Sequence, residues 1–217
     1  MQIEIYSDVV CPWCFIGKRR LEQALETGGC AQQAHIAWRP FELNPTMPKA
    51  GMERRTYLQA KFGGAEALRG MEDRLAKAGE ADGIEFAFDQ IARTPNTFDA
   101  HRLIWFAGQQ HCQDEVVESL FHSYFTKGRE IGSLDSLAEI ASCCGLDREE
   151  VERFLASDQA VQEVRAEEAS GHRLGIRGVP YFVLNGSVAI SGTQLPDIFA
   201  SAFRQAEETV AERKEGA

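Results

Sequence analysis

The sequence predicts an α/β fold in which segments from the two ends of the chain build one sheet and a long helical stretch is inserted between them. Three observations predict it. The N-terminal segment alternates strand, helix and strand, and the C-terminal segment carries two apolar runs joined by Asn185-Gly186 and then a helix. The stretch between them has almost no strand signal. At 217 residues, with 44% apolar and 26% charged side chains, the chain can bury a sizeable core.

In order, Ile3-Glu4-Ile5-Tyr6 reads as a strand, Cys14 to Leu25 as an amphipathic helix, and His35-Ile36-Ala37-Trp38 as a second strand that Pro40 stops. That is a βαβ unit. Helices are expected over 54–61, 65–78, 97–110, 115–126, 134–144, 148–156 and 160–174. Ser133 and Asp147 stand at N-cap positions, and Asp147 with Glu150 has capping-box spacing. A weak strand signal covers Ile84 to Phe88. Tyr181 to Leu184 and Ser187 to Ile190 flank the Asn-Gly turn, and a closing helix runs from Pro196 to Arg213. The expected division is 1–43 with 176–217 as the sheet domain, and 44–175 as an all-helical insertion that covers it like a lid.

The chemistry concentrates in Cys11-Pro12-Trp13-Cys14, between the first strand and the first helix. A helix start presents unpaired N–H groups and the positive end of the helix dipole, which favour a thiolate there. Pro12 has no N–H to leave unpaired and its fixed φ suits the first turn. Two thiols one turn apart can close a disulfide and reopen it, so the pair reads as redox-active. Cys11 is expected to be the exposed attacking thiol and Cys14 the shielded resolving thiol. Trp13, between them, would meet the substrate.

Other residues read more plainly. Zinc would need four ligands, and no second C-x-x-C or H-x3-H completes a set, so no metal site is expected. Cys143 and Cys144 read as core thiols, and Cys30 and Cys112 take no role. Asp8 suits a turn cap better than a proton acceptor for Cys14. His101 reads first as a packed or surface histidine, and Phe121, Tyr124 and Phe125 fall at the spacing of a core stripe. A net charge of −10 and a pI near 5.1 argue against nucleic acid or an anionic membrane as partner. The chain enters strand-like sequence without the pattern of a signal peptide, so a cytoplasmic location and reduced cysteines are expected.

The sequence also resembles a known family. Ser7-Asp8 before Cys11-Pro12-Trp13-Cys14, with Phe15, Gly17 and Leu21, is similar to the active-site segment of the DsbA-like oxidoreductases of the thioredoxin fold, in their FrnE-type branch. Arg39-Pro40-Phe41-Glu42-Leu43-Asn44-Pro45, Asn96-Thr97 with Ala100-His101-Arg102-Leu103, and Gly178-Val179-Pro180-Tyr181-Phe182 followed by Ser191-Gly192 resemble further segments of that branch. The resemblance implies that Pro180 is cis and faces Cys11, that Val179 offers backbone groups to an extended substrate, and that Asn44 and His101 line the cleft. Hydroxychromene carboxylate isomerases and kappa-class glutathione transferases are a related branch, which typically carries Ser where this chain has Cys11.

The leading expectation is therefore a thiol-disulfide oxidoreductase or isomerase acting through a mixed disulfide, with no bound cofactor and a protein or low-molecular-weight disulfide or thiol as partner. Its oligomeric state stays open. Glutathione stays open as a co-substrate, since Ser191-Gly192-Thr193 at a helix start could hold a carboxylate. The alternatives are a glutathione-dependent isomerase or transferase for a small aromatic or polyketide-like substrate, and a chaperone-like binding module with the Cys pair as its switch.

Overall fold

The computed structural model describes residues 1–29 and 31–215; Cys30 lies outside them. Strand β1 (Gln2–Ser7) sits at the centre of a four-stranded sheet because it is apolar on both sides: Ile3, Ile5 and Tyr6 are all buried. The sheet order is β2-β1-β5-β6, with β2 (His35–Pro40) parallel to β1, and β5 (Tyr181–Leu184) and β6 (Val188–Ser191) antiparallel. Parallel strands need a long crossover. Helix α1 (Pro12–Thr27) supplies it. The β5–β6 turn has φ of 48° at Asn185 and 62° at Gly186, the double positive φ that a two-residue hairpin requires. Asn185 Oδ1 also accepts a hydrogen bond from Gln2 N at 2.9 Å, so the turn is tied to the start of β1. The chain closes with α9 (Pro196–Glu215), whose Phe199 is fully buried against Phe182 of the sheet at 4.9 Å between ring centres.

Between β2 and β5 the chain forms a two-stranded pair, β3 (Met52–Glu53) and β4 (Arg93–Thr94), and seven α-helices among the described residues. These are α2 (Arg54–Phe62), α3 (Ala65–Ala81), α4 (Phe98–Gln109), α5 (Gln113–Phe125), α6 (Leu134–Cys143), α7 (Arg148–Ala156) and α8 (Val161–Arg173). Caps divide them where expected. Ser133 Oγ accepts from Ser136 N and Asp147 Oδ1 from Glu150 N. The apolar run from Ile84 to Phe88 is not a strand. Ala87 N donates to Phe125 O, leaving no sheet partner, and the Phe86 and Phe88 rings stack at 4.7 Å while Phe86 meets Phe125 edge-on at 5.5 Å. Here aromatic packing overrides the period-2 pattern. No helix among the described residues is long and apolar enough to cross a membrane.

The helical segment is fastened to the sheet domain at three kinds of contact. Phe15 of α1 stacks on Phe121 of α5 at 5.2 Å. Gln113 uses its side chain as a strand would, accepting from Trp38 N at 2.9 Å and donating to Trp38 O at 3.3 Å, while Asp114 accepts from Trp38 Nε1 at 2.9 Å. Lys18, only 3% exposed, pairs with Glu22, with Asp114 at 3.0 Å and with Glu118 at 3.3 Å; Arg19 pairs with the same Glu22 and Glu118.

Burial alone would push the Glu118 carboxyl up, but hydrogen bonds from Arg19 and the charges of Lys18 and Arg19 hold it below its ordinary value of 4.5. Its contribution to stability is therefore complete above that value and lost as the pH falls through the lower folded-state value. Lys18→Met removes the cation shared by Glu22, Asp114 and Glu118 but leaves Arg19 on Glu22 and Glu118 and Trp38 on Asp114, and should cost about 1 kcal/mol after discounting for the partial exposure of the carboxylates. In urea unfolding, the gap between wild type and variant should be largest near neutral pH and narrow on acidification below 4.5.

Candidate active site

The residues that end β1 place the two thiols. Asp8 O accepts a hydrogen bond from Cys11 N at 2.9 Å, turning the chain so that Cys11 becomes the N-cap of α1, with extended φ and ψ of −94° and 108°. Pro12 occupies the first helical position. The N–H of Cys14, one turn on, donates to Cys11 O at 3.0 Å, and both thiols are free. Cys11 Sγ faces the carbonyl of Val179 at 3.7 Å, and the Val179–Pro180 peptide is cis. So Cys11, Cys14, Val179 and Pro180 come together from opposite ends of the chain. Gly17 makes this possible, since a Cβ there would lie 3.1 Å from Pro180 Cγ and 3.2 Å from Phe182 Cζ. Thr193 joins from the segment before α9, its hydroxyl donating to Trp13 O at 2.7 Å. Trp13 is 38% exposed at the rim.

The two thiols have different surroundings. Cys14 is buried beneath the helix start. Burial, followed by the adjacent Cys11 thiol, pushes its own thiol well above the usual range, and the Ser7 hydroxyl and Asp8 N–H only partly counter this. Cys11 is not the exposed thiol that the sequence suggests. It is only 4% exposed, because the helical segment roofs it, and it lines a cleft of about 300 Å³ between α1 and the inserted helices. The cleft walls are mostly apolar and aromatic, including Leu58, Met71, Leu75, Phe88 and Phe125. Asp8, Arg54 and Lys61 are its charged lining residues.

Asn44 lines this cleft, its Oδ1 accepting from Thr46 N and Oγ1 at 3.2 and 2.8 Å. His101 does not line it. Its imidazole is buried behind the active-site loop, with Nε2 3.6 Å from Asp8 Oδ1, and neither atom has a hydrogen-bond partner among the described residues. Asp8 does not cap α1 either. Its Oδ2 accepts from Leu43 N at 2.7 Å, fixing the segment that leads into the helices. Ser191 lines a separate groove with Val188 and Ile198, its carbonyl accepting from the Gln194 side chain. Cys143 is exposed rather than a core thiol, and Cys144 is partly buried with Sγ 3.1 Å from Ser119 Oγ. Phe121, Tyr124 and Phe125 are core, although the last two also face the cleft. Sequence reasoning missed Arg54, Leu58 and Lys61 of α2, which carry no motif and show only as one side of a short polar helix.

A match to the family described as DSBA-like thioredoxin domain spans residues 2–204. YwbO, an uncharacterized protein of Bacillus subtilis strain 168, is 26% identical over 205 residues, covering 94% of this chain and 96% of that protein. The crystal structure of a probable DsbA oxidoreductase from Streptomyces coelicolor superimposes with a TM-score of 0.88 at 34% identity, covering 96% of this chain and 90% of that one. A 2-hydroxychromene-2-carboxylate isomerase shares the fold, with a TM-score of 0.72 at 17% identity and 98% of each chain covered.

Because the Cys14 thiol is held protonated well above its ordinary value of 9.0, any reaction that needs its thiolate should still be accelerating at pH 9. Alkylation of Cys14 in a Cys11→Ser variant, followed by mass spectrometry across pH 7 to 10, checks this. A plateau below pH 8 contradicts it.

Proposed function

The chain belongs to the DSBA-like thioredoxin family, and from that premise we propose that it is a thiol-disulfide oxidoreductase working through a mixed disulfide on Cys11. The observation that carries this reading is the pair of free thiols on the first turn of α1, with Cys11 Sγ 3.7 Å from Val179 O of the cis-proline loop. The family is one of oxidoreductases, and this chain retains both sulfur atoms that two-electron exchange requires.

The steps follow from the surroundings of each thiol. Cys11 lines the cleft and attacks one sulfur of a substrate disulfide; an S–S bond forms to Cys11, and the other substrate sulfur leaves as a thiolate that takes up a proton. Cys14 then loses its proton and attacks Cys11 Sγ, closing the Cys11–Cys14 disulfide and releasing the second substrate thiol. The protein dithiol loses two electrons and the substrate disulfide gains them. Run in reverse, the same steps oxidise a dithiol. Val179 O sits where it contacts the reacting sulfur, and Trp13 forms the rim over which substrate enters. In this reading Asn44, which lines the cleft, meets the substrate, and His101, behind the active-site loop beside Asp8, does not. Glutathione is a suitable thiol to regenerate the dithiol. The Thr193 hydroxyl already gives its hydrogen to Trp13 O, so this hydroxyl supports the helix start rather than a glutathione carboxylate.

Cys11→Ser should lower exchange with glutathione disulfide by about a hundredfold or more, since no attacking thiolate remains. Cys14→Ser should keep the first attack and accumulate a stable mixed disulfide with one glutathione per chain, visible by mass spectrometry. Full activity in Cys11→Ser would remove the assignment.

A further inference from the structure

We propose that the disulfide attacked by Cys11 belongs to a small molecule with a ring-sized apolar body and a carboxylate, rather than to a polypeptide. The proposal rests on the reading of Cys11 as the attacking thiol and adds the substrate class. Three observations carry it. Cys11 is 4% exposed and lines a cleft of about 300 Å³, at the lower end of the roughly 300–1,000 Å³ typical of small-molecule sites. The walls are the apolar side chains of Leu58, Met71, Leu75, Phe88 and Phe125. The charged groups on the walls are Arg54, Lys61 and Asp8, a positive balance in a chain of net charge −10.

A protein disulfide is hard to admit here. Its two Cα atoms lie only about 4.4–6.8 Å apart, so two backbones must approach wherever the sulfur goes. A small disulfide brings one ring into the cleft and leaves its other half at the mouth beside Trp13. The cations differ in their freedom to meet it. Arg54 is already 2.7 Å from Glu72. Lys61 has no carboxylate partner among the described residues; its ammonium donates to the Tyr57 hydroxyl at 3.3 Å and lies 5.6 and 5.9 Å from the Tyr57 and Phe62 ring centres at the cleft wall. A carboxylate on the ligand supplies that missing partner.

The reaction needs no further reagent. Reduced Cys11 and Cys14 give two electrons and two protons, and the small disulfide becomes two thiols.

The test uses pre-reduced full-length protein in single-turnover mixing with four disulfides: 5,5′-dithiobis(2-nitrobenzoate), the neutral aromatic 4,4′-dithiodipyridine, hydroxyethyl disulfide and scrambled ribonuclease. Each rate is divided by that of free glutathione with the same disulfide, which removes intrinsic reactivity. The expected order falls from the aromatic carboxylate through the neutral aromatic and hydroxyethyl disulfide to ribonuclease. Lys61→Glu, an exposed change that leaves folding intact, should lower the carboxylate-to-neutral ratio about fivefold, the scale of one reversed surface ion pair. Leu58→Trp, which fills the cleft, should lower both aromatic rates relative to hydroxyethyl disulfide about tenfold. Ribonuclease reacting as fast as the aromatic disulfides, or ratios unmoved in both variants, would overturn the proposal. If Cys11→Ser is inert while those ratios stay flat, only the substrate class fails; if Cys11→Ser reacts like wild type, the assignment of Cys11 fails with it.

Discussion

The chemistry of this chain hangs on how closely α1 approaches the Val179–Pro180 loop. A glycine inside a helix costs about 1 kcal/mol relative to alanine, and Gly17 sits in α1 because the Pro180 ring and the Phe182 edge occupy the space a Cβ would take. That approach puts Cys11 Sγ against Val179 O. Gly192 N then donates to Pro180 O at 2.9 Å, and the next residue, Thr193, donates to Trp13 O at 2.7 Å across 180 positions, so the segment that holds the loop is also tied to the helix start. A Cβ at Gly17 would lie 3.1 Å from the Pro180 ring and 3.2 Å from Phe182, so the proline loop would have to give way by a few tenths of an ångström.

The same helix anchors the inserted helices on its other side. Lys18 and Arg19 follow Gly17 directly, so one short stretch of α1 faces the proline loop, the ion-pair cluster on α5 and the Phe121 ring in succession. Asp8 extends the coupling. Its backbone carbonyl holds Cys11 N while its carboxylate holds Leu43 N and faces His101 of α4. The active-site loop, the exit from the sheet and the inserted helices thus meet at one buried carboxylate, which fixes the cleft relative to the thiol.

What could be read in the sequence divides along this line. Period-2 and helical patterns, Pro12 at a helix start and Asn185-Gly186 in a hairpin are local signals, and apart from the weak strand signal at Ile84 to Phe88 the elements they predict are present. The CPWC segment and the order of the segments around it point to the family to which the chain belongs. Contacts set by tertiary packing were not legible. The Ile84 to Phe88 run alternates like a strand, yet its rings join the aromatic core. Asp8 looks like a cap, yet it hydrogen-bonds 35 residues away at Leu43. His101 lies on a helix that reads correctly, but nothing in a helical period tells whether its ring enters a cleft or sits behind one. The burial of Cys11 has the same origin, since the cleft it lines is walled in part by residues of α2 and α3, which carry no motif.

That burial changes how the motif itself works. The sequence distinguishes the two thiols by their place on the helical turn, and the structure sets them in different surroundings although both are buried. Cys11 caps the helix, facing Val179 and the cleft, where a substrate sulfur can arrive. Cys14 faces inward, buried against Ser7 and the Asp8 backbone with the Cys11 thiol beside it. A thiol held protonated in such a place is a poor nucleophile until a disulfide forms on its neighbour, since low dielectric disfavours the thiolate. Proximity then makes the second step intramolecular, and the attack by Cys14 competes with escape of the bound half-molecule. On the proposed mechanism, the order of the two attacks is set by which thiol lines the cleft, and the inserted helices that wall the cleft take part in the cycle without contributing a sulfur to it.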